Sequence, residues 1–227
     1  MITVLASIKG GSGKSTVTFN LGLWLAWHGF SVATYDLDPQ QTLFDVAQVR
    51  QEEGYTPPLQ VHQVSQPFCD YLTHHPGEVL VDVGAGQIPA MREAISVADR
   101  ILIPVPPSQA DVWAAQRFLV TIGETIKDRA AGPEILTFIN RSDTHQGVRE
   151  SEETEAVLSE LPGARYLPQR LAQRTLFRRS FSEGLAVFEL SRRSKAAAEL
   201  NDLAQGLYPD LGPVRAKPLG AGGSRSG

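Results

Sequence analysis

The sequence predicts an α/β fold, a doubly wound and mostly parallel sheet with helices on both faces. Apolar, β-branched runs alternate with helix-like stretches, and several runs are apolar throughout, which is typical of strands buried on both faces. The 227 residues are enough for one large domain of this kind. The predicted strands are 2–8, 31–36, 59–64, 78–83, 100–105 and 135–140. The predicted helices are 14–28, 40–53, 66–75, 88–98, 109–128, 148–161, 169–183 and 192–207.

The element boundaries follow from residues that change the local pattern. The first strand runs into a glycine-rich stretch before the helix at 14–28, and Pro39 stops the second strand. The last helix has Leu200, Leu203 and Leu207 at helical spacing and should pack on the domain. We expect one domain over 1–211 and a disordered tail over 212–227, which is rich in Gly, Pro, Ser and Arg.

The composition favours a cytoplasmic protein. No apolar run reaches the roughly 18 residues that span a bilayer, the first residues lack a signal-peptide pattern, and Cys69 is the only cysteine. The net charge is −4, but residues 1–164 carry 10 Lys/Arg and 20 Asp/Glu, whereas residues 165–227 carry 11 and 5. The C-terminal part is therefore basic enough to bind a polyanion.

A glycine-rich stretch between the first strand and the first helix predicts a phosphate-binding loop. Glycines let backbone N–H groups wrap around phosphates, and the helix N-terminus adds its dipole. Lys14 should bridge the β- and γ-phosphates, and the Ser15 hydroxyl should hold Mg²⁺, so we expect ATP and Mg²⁺ as cofactors. The strict pattern has a glycine where Ile8 stands; here Lys9 opens the loop. The loop consists of Lys9, Gly10, Gly11, Ser12, Gly13, Lys14, Ser15 and Thr16.

This loop has the form K-G-G-x-G-K-[ST], the deviant Walker A motif, and with it the chain resembles the ParA/MinD family of ATPases. The resemblance is strongest to the small ParA-type partition and positioning ATPases and extends to about residue 207. It implies a P-loop NTPase fold, ATP hydrolysis, and a nucleotide-sandwich dimer in which Lys9 reaches the phosphates bound by the second subunit. The other stretches that carry it are 36–40 (DLDPQ), 79–82 (VLVD), 103–108 (IPVPPS) and 138–141 (FINR).

Two carboxylates, Asp36 and Asp38, follow the second strand and point to the same side of an extended backbone. The resemblance implies that Asp38 lies in switch I and positions the attacking water, while Asp36 lies nearer the magnesium ion. The alternative is that both residues cap the helix that begins at 40.

A third carboxylate, Asp82, ends a strand, which is the Walker B arrangement for holding Mg²⁺ directly or through water. Relatives often have Thr next, whereas this chain has Val83, so the switch II assignment is weaker here. Gly84 and Gly86 still provide a loop that can change conformation with the γ-phosphate.

Three further residues follow from the resemblance. Asn140 closes a strand, and its amide suits an adenine edge; the alternative is a turn residue. Pro168 matches a proline of the adenine-side loop. Asp111 resembles a carboxylate after the Pro-Ser loop, or serves only as the N-cap of the helix at 109–128.

A basic face is predicted near the C-terminus. Arg170, Arg174 and Arg178 are four residues apart, so a helix over 169–183 would align them, with Arg179 beside them. Arg192, Arg193 and Lys195 stand at the start of the next helix, where cations oppose the helix dipole. By resemblance these residues bind non-specific DNA, which requires only charge. The alternative is a solvated face paired with Glu183, Glu189 and Glu199.

These observations favour an ATP-driven positioning protein that dimerises on ATP, binds nucleoid DNA and is released when a ParB-like or other adaptor stimulates hydrolysis. Its cargo would be a plasmid, a chromosome or a protein assembly such as a carboxysome. Metabolic relatives, such as amidoligases and dethiobiotin-synthetase-like enzymes, share the loop and remain an alternative. A MinD-type membrane ATPase needs an amphipathic C-terminal helix, which 217–224 does not supply. Iron–sulfur relatives need paired cysteines, and Cys69 stands alone.

Overall fold

A computed structural model describes residues 1–144 and 148–214. Within them lies a seven-stranded sheet in which every pair of neighbouring strands is parallel, in the order β3-β2-β4-β1-β5-β6-β7. The strands are β1 Ile2–Leu5, β2 Val32–Asp36, β3 Gln60–His62, β4 Glu78–Asp82, β5 Arg100–Val105, β6 Glu134–Ser142 and β7 Arg165–Ala172. The helices are α1 Lys14–Trp27, α2 Thr42–Glu52, α3 Cys69–Thr73, α4 Ile88–Val97, α5 Gln109–Ile126, α6 Val148–Ser159, α7 Thr175–Glu183, α8 Val187–Leu190 and α9 Lys195–Leu207.

The predicted fold class is confirmed, because helices cover both faces of this sheet and bury two apolar clusters. One cluster contains Leu5, Leu80 and Leu102, while the other contains Val4 and Val81 from the opposite face of the same strands. Successive residues of a strand point to opposite faces, so strands that are apolar throughout supply both clusters. This explains why the strand runs do not alternate between apolar and polar residues.

The predicted helix over 169–183 is wrong in its first half. Residues Arg165–Ala172 form the edge strand β7, and only Thr175–Glu183 is helical. Pro168 interrupts the apolar pattern and has no N–H to donate, which is tolerated on an edge strand but obscures the strand in the sequence. As a consequence, Arg170 lies in β7, Arg174 is the N-cap of α7, and only Arg178 lies within the helix.

The packed domain extends beyond the predicted boundary at 211. Val214 is buried and its N–H donates to Asn201 Oδ1, while the Gly212 carbonyl lies 2.9 Å from His28 Nε2. The remainder of the predicted tail, 215–227, lies outside the described residues, and this includes the segment 217–224. In the described ranges, no helix has the length and apolar character needed to cross a membrane.

The carboxyl ends of the central strands meet at one edge of the sheet. Asp36 and Asp82 are register partners at the ends of β2 and β4, and Leu5 at the end of β1 also pairs with Asp82. Parallel sheets bind ligands at this edge. The fold therefore brings the predicted loop and its carboxylates together.

Candidate nucleotide-binding site

The phosphate loop connects β1 to α1 and requires glycine at its last turn. Gly13 is the N-cap of α1 with φ of 88°, and a Cβ there would lie 2.5 Å from Asn140 Nδ2. Any larger residue would be strained by its backbone and would clash with Asn140. The Asn140 amide donates to the Ser12 carbonyl at 2.6 Å, so β6 fixes the position of the loop.

Lys14 is buried although it is a cation. Its ammonium donates to Ser7 Oγ at 3.3 Å, and Ser7 Oγ lies 2.9 Å from Ser12 Oγ. Burial lowers the pKa of Lys14, and the negative charges of Asp82 and Asp38 partly offset this effect. A buried cation with one weak neutral partner is well suited to an anionic ligand.

Asp82 is the complementary buried anion. Asp82 is 1% exposed, and neither carboxylate oxygen has a hydrogen-bond partner of normal geometry among the described residues. Burial raises the pKa of Asp82 to about 7, while the Ser15 hydroxyl and the Lys14 charge act in the opposite direction. An unpartnered buried carboxylate next to a hydroxyl has the donor chemistry of a magnesium site. The described residues contain no group of three or more His, Cys, Asp or Glu that could hold a metal ion.

Asp36 has a different environment. Its Oδ1 accepts the Asp38 N–H, and its Oδ2 accepts the N–H groups of Leu43 and Phe44 in the first turn of α2, all at 3.0 Å. Gln41 occupies the N-cap position of α2, but the Asp36 side chain satisfies two N–H groups of its first turn, so the capping alternative is correct in function for Asp36. Burial raises the pKa of Asp36, and these three N–H groups lower it. Because both oxygens are engaged, Asp82 is the better cation ligand.

Asp38 lies between the end of β2 and α2, facing the loop after β4. Its Oδ1 accepts the Gln40 N–H at 3.0 Å, and a Cβ on Gly84 would lie 3.0 Å from its Oδ2. Glycine at 84 thus permits a close approach of the two loops that the sequence assigned to switches I and II. Val83, which stands where relatives often have Thr, is fully buried in the core.

These loops enclose a cavity of about 510 Å³, a volume typical of small-ligand sites. A smaller cavity of about 70 Å³ lies next to it, on the side of Asn140, Leu171 and Phe177. The large cavity is lined by Gly10, Gly11, Gly13, Lys14, Ser15, Thr16, Asp38, Pro39, Gln40, Thr42, Gly84, Ala85, Gly86, Gln87, Arg141 and Phe181. It is polar along the glycine loop, as a phosphate site requires.

Lys9 points away from this cavity. Its ammonium forms an ion pair with Asp111 Oδ2 at 2.9 Å, and the Lys9 side chain is 45% exposed. Ser108, not Asp111, is the N-cap of α5, because its hydroxyl accepts the Asp111 N–H. The two cations of the loop are therefore separated: Lys14 is buried behind it, and Lys9 is exposed beside it.

Comparison with known proteins shows which family has this fold and this loop. Residues 3–187 match the family described as the CobQ/CobB/MinD/ParA nucleotide binding domain. The chain belongs to this family. "Maintenance of carboxysome distribution protein A" of Halothiobacillus neapolitanus is 27% identical over 217 residues, which cover 90% of this chain and 95% of the relative. "Protein ParA" of Rhizobium radiobacter is 31% identical over 160 residues, which cover 66% and 71%. The structure of Cyanothece apo McdA has the same fold, with a TM-score of 0.72, 18% identity and coverage of 91% and 98%.

Of the two residues predicted near adenine in this ParA/MinD-family chain, Asn140 lies at the phosphate loop, whereas Pro168 lines neither of the two cavities described above. Asn140 is buried between the loop and the smaller cavity, and its Oδ1 accepts the Arg141 N–H. Its contact with adenine stays a prediction. Pro168 lies within β7, four residues before the end of that strand, in a surface groove beside Asp202 and Gly206 of α9. The end of β7, at Ala172 and Gln173, approaches the smaller cavity instead.

The predicted basic face of this ParA/MinD-family chain is partly neutralised, at three of its seven residues. Arg170 pairs with Glu155, Arg174 pairs with Glu199, and Arg179 pairs with Glu183 at 3.0 Å. The alternative of acidic partners is thus correct for Glu183 and Glu199, whereas the buried Glu189 pairs with Arg50 at 2.8 Å. Of the seven residues predicted for this face, four are exposed and form no ion pair within the described part of the chain: Arg178, Arg192, Arg193 and Lys195.

Among the residues that line the large cavity without having been predicted from the sequence, Arg141 and Phe181 have the largest side chains. Phe181 lies on α7 and contacts Phe19 of α1 edge-to-face, with ring centroids 5.8 Å apart. Arg141 directly follows Asn140 in the stretch FINR, so its neighbourhood was recognised without a role for the arginine itself. Only long-range packing places Phe181 here, and no local pattern indicates it.

Proposed function

We propose that this chain is an ATP-dependent positioning ATPase that hydrolyses ATP to ADP and phosphate. The observation that carries this proposal is the buried, unpartnered carboxylate of Asp82 beside Lys14 and Ser15, at a cavity lined by the glycine loop. A buried ion of each sign without full compensation costs stability, which is expected at a site that awaits a charged ligand.

Each residue of the site has a proposed role. The N–H groups of residues 10–16 surround the phosphates, Lys14 binds the β- and γ-phosphates, and Ser15 with Asp82 holds Mg²⁺. When bound, Mg²⁺ neutralises negative charge on the phosphates. Asp38 lines the cavity opposite the loop and orients the attacking water. Asn140 positions the loop through Ser12 and contacts adenine with the part of its amide that faces the smaller cavity.

ATP-dependent dimerisation is proposed from Lys9. Its ion pair with Asp111 is partly exposed, and such pairs contribute roughly 0–1 kcal/mol. A charge-assisted contact with a phosphate of the second subunit is stronger. Lys9 can therefore exchange Asp111 for that phosphate when two nucleotide-bound chains meet.

Non-specific DNA binding is proposed for the free cations near α9. The Tyr208 hydroxyl donates to Glu78 at the start of β4, whereas Glu199 accepts the N–H of Ala172 at the end of β7. Helix α9 thus begins near the carboxyl ends of the strands, which we call the nucleotide edge of the sheet, and ends near the amino ends of the strands, the opposite edge. Its first residue, Lys195, and the preceding residues Arg192 and Arg193 lie towards the nucleotide edge, where dimerisation would bring two sets of cations together.

The proposed cargo is a plasmid, a chromosome or a protein assembly such as a carboxysome, and a ParB-like or other adaptor stimulates hydrolysis and release. The relative involved in carboxysome distribution supports this range because it matches over nearly its whole length. We place the active dimer on nucleoid DNA in the cytoplasm.

The dimer is tested by sedimentation velocity with ATP and Mg²⁺, comparing wild type with Lys9→Ala. Wild type should be monomeric without nucleotide and dimeric with ATP, whereas Lys9→Ala should bind ATP and stay monomeric, because it lacks the cation that reaches the second subunit. Lys127→Ala, an exposed lysine at the end of α5, is the control and should dimerise normally. A Lys9→Ala protein that dimerises and hydrolyses like wild type would refute the trans role.

A further inference from the structure

The backbone takes an unusual turn at Arg141, at the carboxyl end of β6. Arg141 has φ of 59°, a left-handed conformation that is uncommon for residues other than glycine. The pairing of β6 with β7 shifts register on both sides of Asn140, and the Arg141 N–H donates back to the Asn140 side chain. This backbone conformation is energetically unfavourable for an arginine, and residues in unfavourable backbone conformations cluster at functional sites.

The turn directs the Arg141 side chain over the phosphate loop. Its Nη1 lies 4.0 Å from the point where a Cβ of Gly11 would be, and its Nε lies 3.6 Å from the same point of Gly13. The residue also lines both the large and the smaller cavity. A guanidinium group therefore faces the stretch of backbone whose N–H groups are suited to phosphates.

The charge of Arg141 has no fixed acidic partner in residues 1–144 and 148–214. Among the residues that the structure describes, it forms no ion pair, whereas Lys9 on the other side of the loop is paired with Asp111. Before a second subunit arrives, Lys14 and Arg141 are thus the two cations that face the loop. A planar guanidinium can donate two parallel hydrogen bonds to phosphate oxygens.

We infer that Arg141 binds a phosphate of the nucleotide within its own subunit. This inference rests on the proposed nucleotide-binding function and adds a residue to it. Arg141 contacts the phosphates from the solvent side of the loop, opposite the buried Lys14. It therefore contributes to the affinity for ADP in the monomer, independently of Lys9 and of dimerisation.

The left-handed backbone allows a clean test by titration calorimetry with ADP and Mg²⁺. Arg141→Gly removes the charge and relieves the backbone, Arg141→Ala removes the charge alone, and Arg141→Lys keeps a charge without the planar fork. We expect the first two to weaken ADP binding about tenfold or more, the scale of a charged hydrogen bond, and Arg141→Lys to weaken it less. Arg149→Ala, on the exposed face of α6, is the matched control and should bind like wild type.

The outcomes separate this inference from the proposed function. If wild type binds no ADP, the proposed function fails. If wild type binds ADP and Arg141→Gly binds it equally well, the Arg141 contact is refuted while the nucleotide site stands. Competition with adenosine identifies the part of the nucleotide that is contacted: an equal loss for adenosine and ADP would place Arg141 on the base and overturn the phosphate contact. A thermal midpoint of Arg141→Gly at or above that of wild type would confirm that the loss does not reflect unfolding.

Discussion

The nucleotide edge of the sheet and the basic stretch from β7 to α9 are both rich in charged residues, but these residues differ in their burial and in their ion pairing. At the nucleotide edge, Lys14 and Asp82 are buried and poorly compensated. In the basic stretch, Arg170, Arg174 and Arg179 are solvent-accessible and paired with glutamates. Uncompensated buried charges destabilise the folded state until a ligand binds, whereas each exposed ion pair contributes little to stability. Single substitutions should therefore have large effects at the first region and small, additive effects at the second.

The largest expected effect is that of Asp38→Ala on hydrolysis. The variant should bind ATP and dimerise, because the phosphate loop is unchanged. Its turnover should fall by about 10²-fold or more, the usual scale for loss of a group that positions the attacking water. Single-turnover hydrolysis at saturating ATP measures this.

The control for this variant is Asp45→Ala, which removes an exposed carboxylate from the first turn of α2, the helix that follows Asp38. It should lower stability slightly and leave turnover unchanged, because Asp45 acts only on the helix dipole. If Asp38→Ala behaved in the same way, Asp38 would be a capping residue and not part of the hydrolytic site.

A smaller effect is expected on the pH dependence of stability in nucleotide-free protein with EDTA. The folded pKa of Asp82 is about 7, above the usual 3.8, so between these values the folded state holds a proton that the unfolded state has lost. The free energy of unfolding should therefore fall as pH rises from about 4 to 7, by up to about 1.4 kcal/mol per pH unit, and this contribution should level off above 7. Urea denaturation at a series of pH values measures it.

Asp82→Asn provides the comparison, since it removes the titrating group from beside Lys14, Asp36 and Asp38. Its stability should decline less across this window, and the difference between the two curves isolates Asp82 from the histidines. Identical slopes for both proteins would mean that Asp82 is already ionised when the site is empty.

The first region was predictable because its signals are local. The glycine loop is one continuous motif, and Asp38, Asp82 and Asn140 each end or follow a recognisable apolar strand, so parallel-sheet geometry brings them together. The capping of α2 by Asp36 was left open, since the spacing of a carboxylate does not tell which oxygens the backbone will occupy. The left-handed turn at Arg141 has no sequence signal, because glycine is the residue expected there.

The second region was predicted less well because its structure depends on distant partners. Pro168 and the neighbouring arginines interrupt the apolar pattern of β7, so the sequence did not predict this strand. The helix predicted in its place would have aligned Arg170 with Arg174 and Arg178. The pair of Arg174 with Glu199 connects residues 25 positions apart, which periodicity does not reveal. What remains of the basic face is a shorter set near the start of α9.

The smallest expected effect concerns DNA, and it tests whether this shorter set suffices. Arg192→Glu combined with Arg193→Glu should weaken the binding of the ATP-bound dimer to all duplex sequences alike, without changing ATP binding. Exposed cations neutralise DNA phosphates one by one, and each lost contact should lower the slope of log affinity against log salt by about one unit. Mobility-shift titrations at two salt concentrations measure both quantities.

The control is Arg165→Glu, which makes half of this charge change at the first residue of β7, on the opposite edge of the sheet, where Arg165 pairs with Glu134. Because that edge faces away from the proposed DNA surface, the control should bind DNA with nearly the affinity and salt slope of wild type. Equal losses in both variants would mean that net charge alone matters and that no surface is defined. Equal DNA affinity of wild type with and without ATP would contradict the proposed coupling of DNA binding to ATP. In that proposal, ATP must first bring two subunits together, so that their two sets of cations bind one duplex.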